Sequence, residues 1–206
     1  MEFNIFKSLI WKSRLKYNKK DAFIKIIQEN YSNSPIQIPK DWKCTIHSSF
    51  DNKSEHIPKD LIKLIQDKCN QFLDLYVKDL KIFGEFYLNN CWYNAYTGDQ
   101  FQEPHTHGNA LFSGCYYLKF DKENHHQTEF YNPNFNLNYS RLESNNYFCF
   151  SPDCEEDDII IFPAYLKHGT RGIKGNHNKL RITVSFNITN SSVCYEEQPK
   201  KYFSYQ

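Results

Sequence analysis

The feature that most restricts how this chain can fold is a change of period near Ile82. Before it, apolar residues recur at helical spacing; after it, β-branched and aromatic residues form short runs cut by Gly, Pro and Asn. Upstream, Asp21 is placed to cap a helix carrying Phe23, Ile26, Ile27 and Tyr31 on one face. Pro58 suits the first position of a longer helix, in which Leu61, Ile62, Ile65, Cys69, Phe72, Leu73, Tyr76 and Leu80 repeat at three and four. The Pro-punctuated link 32–39 between them is expected to be irregular or an edge strand. Downstream, strands are expected at 82–96, 110–120, 128–131, 147–151, 158–163 and 180–189. Helices followed by many short strands predict a mainly β protein with N-terminal helices, its strands forming a sandwich or barrel. No Gly- or Ser-rich linker divides it, so 1–206 reads as a single domain: a helical support region at 1–81, a β core at 82–190 and a tail at 191–206. The tail carries Tyr195, Tyr202, Phe203 and Tyr205 and is expected to lie over the body.

Composition removes several function classes. With 40% hydrophobic residues, 17 Phe and 15 Tyr, the chain cannot be disordered or fibrous. The 25 basic residues are balanced by 24 acidic ones, so no field draws nucleic acid or an anionic membrane to the surface. No apolar run approaches the roughly 20 residues a membrane helix needs. Seven scattered Cys with no C-x-x-C pair, and charges within the first ten residues where a signal peptide would be apolar, predict reduced thiols in a cytoplasm. The expected partner is a small-molecule or peptide substrate.

The strand at 180–189 alternates without a break. Leu180, Ile182, Val184, Phe186 and Ile188 form one face, and Arg181, Thr183, Ser185 and Asn187 the other. Taken alone, a surface strand with its polar face in water explains this. Two other features change its meaning. His105 and His107 stand two apart in Glu103-Pro-His-Thr-His-Gly, so in extended chain both imidazoles face one side and can grip one metal ion. A third histidine, His168, follows the apolar run 159–163 where a strand should end, and in a folded barrel can return to the first pair.

This order resembles the Fe(II)/2-oxoglutarate-dependent oxygenase superfamily, in particular the 2OG-Fe(II) oxygenases of bacteria and phages with a His-x-His…His motif. The residues that carry the resemblance are Trp92-Tyr-Asn94, Pro104-His-Thr-His107, Ser113-Gly-Cys-Tyr-Tyr-Leu118, Phe130-Tyr-Asn-Pro133, Asp158-Ile-Ile-Ile-Phe-Pro163, His168 and Arg181-Ile-Thr-Val-Ser-Phe-Asn187. It implies a double-stranded β-helix, a jelly-roll or cupin-like barrel with helices on one side, and Fe(II) and 2-oxoglutarate as cofactors. It implies His105 and His168 as iron ligands, with His107 where most of the superfamily has a carboxylate. It also implies Arg181 as the clamp on the distal carboxylate of 2-oxoglutarate, helped by Thr183, with Asn94 and Tyr117 lining the cosubstrate pocket. The implied activity is a dioxygenase that hydroxylates its substrate and releases succinate and CO2. A phage-like source would place it in a host cytoplasm.

Neutral imidazole at position 107 leaves bound Fe(II) with one more unit of positive charge than a carboxylate would. Glu103, Asp99 and Glu129 are the carboxylates that could complete the site instead, and Glu85 or Glu129 could pair with Arg181. Two rival readings keep part of the pattern. A three-histidine cupin-type dioxygenase would use the histidines without 2-oxoglutarate, and a jelly-roll binding protein would hold a structural metal or none. Elsewhere, His125 and His126 read as a solvated turn, the acidic run 155–158 as a solvated turn before a buried strand, and Phe112, Tyr116, Phe148 and Phe150 as core. Ligation by histidine predicts that metal affinity falls below the free imidazole pKa of about 6.5.

Overall fold

The structure, a computed structural model, describes residues 8–40, 42–52, 54–77, 85–133, 149–172, 175 and 178–191. Residues 192–206 of the expected tail, residue 80 of the second helix, the loop 135–146, Phe148 and His177 lie outside the described residues.

The chain runs β1 (Trp11–Arg14), α1 (Lys20–Asn33), β2 (His47–Ser48), α2 (Lys59–Tyr76), β3 (Phe86–Tyr96), β4 (Gln102–His105), β5 (Phe112–Lys119), β6 (Glu129–Tyr131), β7 (Cys149–Phe150), β8 (Asp158–Pro163), β9 (His168–Thr170) and β10 (Arg181–Asn190). The strands form two antiparallel sheets, a six-stranded one in the order β1-β8-β5-β10-β3-β2 and a four-stranded one in the order β4-β9-β6-β7. This is the jelly-roll architecture expected, although no ladder closes the two sheets into a barrel among the described residues.

Burial explains the strand patterns. Ile159 and Ile161 of β8 join Phe23, Ile27, Leu61, Ile65 and Phe72 of the two helices, while Ile160 and Phe162 join Phe130 of the small sheet. A strand covered on both faces reads as a continuous apolar run, as Asp158-Ile-Ile-Ile-Phe-Pro163 does. The β10 strand is buried on both faces too, so its polar face is not in water. Ile182, Val184, Phe186 and Ile188 pack toward the helices, and the polar residues look between the sheets.

The first third is less purely helical than its sequence suggests, because β1 pairs with β8 and β2 with β3. The α1 helix starts two residues earlier than expected: Lys19 is its N-cap, and Asp21 sits in the first turn making no side-chain cap bond. It buries Phe23, Ile24 and Ile27, leaving Ile26 exposed. Pro58 is the N-cap of α2 rather than its first helical residue, and the helix ends at Tyr76 with Val77 as C-cap. In the link after α1, Gln37 forms an isolated bridge to His47.

Other local readings change for identifiable reasons. His125 is buried, not solvated: its Nδ1 accepts from the Asp121 amide at 2.9 Å, and Nε2 lies 3.4 Å from the Lys179 carbonyl, which ties its turn to the start of β10. In the acidic run, Asp158 is buried and bonds Arg14 at 3.1 Å, while Lys20 bridges Glu156 and Asp157. Phe150 is 55% exposed, since β7 is the edge of the small sheet.

Candidate active site

The β4 and β9 strands are neighbours in the small sheet, and their register sets His105 directly opposite His168. Two residues on, past the end of β4, the His107 amide donates to the Ala164 carbonyl at 3.0 Å, which holds that loop against the turn entering β9. The three imidazoles meet. Their ring centroids are 4.5 to 5.1 Å apart, and one ligand atom from each lies within 4.8 Å of the others.

Hydrogen bonds fix which nitrogen faces inward. The Nδ1 atoms of His105 and His168 each lie 2.8 Å from a backbone carbonyl, of Glu103 and Leu166 respectively. A carbonyl only accepts, so both Nδ1 atoms carry the proton and both Nε2 atoms keep a lone pair. The Nε2 atoms of His107 and His168 are 3.3 Å apart on nearly parallel rings. Two nitrogens bound at right angles to a metal at about 2.0–2.1 Å would stand about 3 Å apart. Burial pulls all three histidines below the ordinary imidazole pKa, His107 down to about 3 and His168 well below it, with the neighbouring histidines adding to both. Neutral imidazoles with converging lone pairs and carbonyl-held Nδ1 protons fit a divalent transition metal. Glu103 is not among these ligand atoms, because its Oε1 accepts from the Lys43 amide at 2.8 Å.

The cavity beside the histidines is lined by Trp92, Gln102, Cys115, Thr128, Phe162, Thr170, Arg181, Thr183 and Ser185. Arg181, Thr183 and Ser185 are alternate residues of β10, so one strand face supplies its floor. The Arg181 side chain is fully buried, with its guanidinium carbon 4.9 Å from the Tyr96 ring centroid and 5.4 Å from that of Tyr117. Its Nε and Nη2 have no hydrogen-bond partner among the described residues, and burial pulls its pKa down to about 9. Glu129 does not serve it, being paired with Arg171 at 2.7 Å, and Glu85 is exposed. A buried cation lacking a counter-charge is costly, so this end of the cavity fits a carboxylate.

Tyr117 forms the wall under Arg181 rather than the cavity lining, and its hydroxyl donates to Thr128 at 2.9 Å. Asn94 lies opposite Thr183 on β3, its Nδ2 3.4 Å from Ser185 Oγ and its Oδ1 unpaired. Sequence reasoning did not single out Gln102, Thr128 and Thr170 as lining. They sit in or beside strands of three or four residues, too short to show a period.

Residues 90–187 match the family described as "Putative 2OG-Fe(II) oxygenase". No curated protein matches the chain. Among solved structures, the chain is similar to a prolyl hydroxylase from Trichoplax adhaerens in complex with a hypoxia inducible factor peptide fragment, at TM-score 0.59 and 11% identity, covering 93% of this chain and 87% of that one. It is also similar to a viral collagen prolyl hydroxylase from Paramecium Bursaria Chlorella virus-1 in its 2OG complex (TM-score 0.54, 16% identity, 87% and 94% covered). A third is HygX from Streptomyces hygroscopicus with nickel, 2-oxoglutarate and hygromycin B bound (0.53, 11%, 89% and 83%). The resemblance read from the sequence, to the 2OG-Fe(II) oxygenases on a jelly-roll fold, is borne out.

Proposed function

We propose that this chain is an Fe(II)- and 2-oxoglutarate-dependent dioxygenase that hydroxylates a small-molecule or peptide substrate and releases succinate and CO2. The observation that carries the reading is the pairing, in one cavity, of three converging neutral histidines with a buried arginine that has no acidic partner among the described residues. Bound Fe(II) and 2-oxoglutarate together supply, on reaction with O2, an oxidant able to take hydrogen from an unactivated C–H bond.

The residues divide the remaining work. His105, His107 and His168 hold the metal, and the Glu103 and Leu166 carbonyls keep two of the rings in the tautomer that ligates. Arg181 offers a fork of donors that matches a carboxylate, and Thr183, on the same strand face, adds a hydroxyl. Trp92 and Phe162 wall the cavity and limit water beside the metal. A cupin-type dioxygenase without 2-oxoglutarate would leave Arg181 buried and uncompensated, which favours the first reading. The six described cysteines are free, as suits the reducing cytoplasm we propose for the enzyme.

Iron stoichiometry followed by O2 uptake, with and without 2-oxoglutarate, tests this. The expected result is one iron per chain and O2 uptake that requires 2-oxoglutarate and yields succinate. Uptake without 2-oxoglutarate would move the assignment to the cupin-type enzyme, and no uptake at all to a binding protein.

A further inference from the structure

A second, wider cavity opens on the outer side of the histidines and shares Gln102, His105 and His107 with the inner one. Its remaining wall includes Trp42, Phe50, Asn90 and Glu103. The unpaired buried atoms at the two ends have opposite sense. Inside, they are mainly donors: Arg181 Nε and Nη2 and Trp92 Nε1. Outside, they are acceptors: Glu103 Oε2 and Asn90 Oδ1.

Glu103 decides what this means. Its Oε1 is satisfied by the Lys43 amide, while Oε2 is shielded from water with no donor. An amide can reverse its sense by flipping, but a carboxylate has only acceptors to offer. No lysine or arginine among the described residues forms an ion pair with it; Arg171 pairs with Glu129 and Lys179 with Asp121. Beside it Trp42 lies 5.0 Å from Phe50 and 6.2 Å from His105, giving an aromatic wall of the kind that attracts a cation.

We propose that the outer cavity is the substrate site and takes a substrate presenting an alkylammonium or guanidinium group, bound by Glu103 with Asn90 as a second acceptor and Trp42 as the aromatic wall. The assignment rests on the oxygenase reading for calling this ligand the substrate. The cation brings the donors that Glu103 Oε2 lacks, and desolvation between Trp42 and Phe50 strengthens the charge-assisted bond. Its position relative to the metal follows from the shared lining: the charged group anchors near Glu103, and the carbon chain leads toward His105 and His107.

The test is calorimetric titration of the anaerobic protein, loaded with Fe(II) and 2-oxoglutarate. The probes are the Nα-acetyl N-methylamides of arginine, lysine and citrulline. At least one of the two cationic probes is expected to bind about tenfold or more tightly than neutral citrulline, the scale of one charge-assisted hydrogen bond. The difference between arginine and lysine tells guanidinium from ammonium. Glu103→Gln should abolish the preference while citrulline binding stays, and Asn90→Asp, which adds a charge to the same wall, should increase it. Equal binding of all three probes, no binding of any, or a preference that survives Glu103→Gln would overturn the proposal. The visible absorption band of the wild-type Fe(II) and 2-oxoglutarate complex, recorded on the same sample, reports the oxygenase reading separately. A band without a cation preference defeats only the substrate assignment, and a preference without a band leaves a cation site on a protein that is not this oxygenase.

Discussion

The six-stranded and four-stranded sheets contribute differently to one site. Arg181 comes from the large sheet, on a strand bonded to β3 on one side and β5 on the other and buried on both faces. The proposed iron ligands His105 and His168 come from the small sheet, on strands of four and three residues whose ladder shifts register between Gln102 and His105. Burial of β10 on both faces holds Arg181, the proposed carboxylate clamp, in place. The histidine cluster is held by strands of only three and four residues, so its geometry is expected to depend more on a bound metal.

The largest effect should follow from removing the most buried ligand. In His168→Ala, iron bound per chain is expected to fall below detection and 2-oxoglutarate turnover to background, while the far-UV spectrum, dominated by the large sheet and helices, stays. Retention of stoichiometric iron would show that the small sheet's clamp does not need its central histidine.

Next comes a change confined to the large sheet. A Cβ on Gly114 would meet the Phe186 ring and stand 2.7 Å from the Ile160 carbonyl, whereas one on Gly108, in the loop after the histidine pair, meets nothing within 4 Å. Gly114→Ala should therefore destabilise by about 3 kcal/mol or more, and Gly108→Ala by less than about 0.5 kcal/mol. Urea unfolding midpoints read both.

Arg181→Ala should leave iron binding nearly intact and raise the 2-oxoglutarate requirement about 10- to 100-fold, the scale of a lost charge-assisted pair worth roughly 1.5 to 3 kcal/mol. Arg181→Lys should recover part of this, since an ammonium lacks the fork. Steady-state titration of 2-oxoglutarate decides, and an unchanged requirement would remove the cosubstrate role of the large sheet.

The smallest effect concerns pH. Histidines in the unfolded chain take up protons below about 6.5, whereas the buried ones resist, His107 until about 3. The unfolded state then binds more protons, so apoprotein stability, fully present above about 6.5, is lost as pH falls from there toward the folded values. For metal binding to the folded protein the same shift acts in the other direction: proton competition begins well below 6.5. Affinity measured between pH 7.5 and 5.5 is therefore expected to stay nearly flat, a revision of what free histidines would give. A tenfold fall centred at 6.5 would show the cluster to be solvated.

The same contrast governs how much was legible in the sequence. The alternation of β10 and the continuous apolar run of β8 are long enough to show their period, and both strands lie where they were expected. What alternation could not tell is that the polar face of β10 looks into a cavity, since a surface strand has the same pattern. The β1, β2, β4 and β9 strands, of two to four residues, carry no period at all and are defined by their partners. The His-x-His pair was visible from spacing, but its closure by His168 depends on the β4–β9 register. The unpaired Oε2 of Glu103 has no sequence signature, because satisfaction of a carboxylate is a property of what surrounds it.

The most direct test of the central claim, that the histidines and Arg181 form one Fe(II) and 2-oxoglutarate site, is an anaerobic titration followed by visible absorbance. A weak charge-transfer band should appear only when both are present and saturate at one of each per chain. A band that needs no 2-oxoglutarate, or its absence with iron demonstrably bound, would contradict the claim.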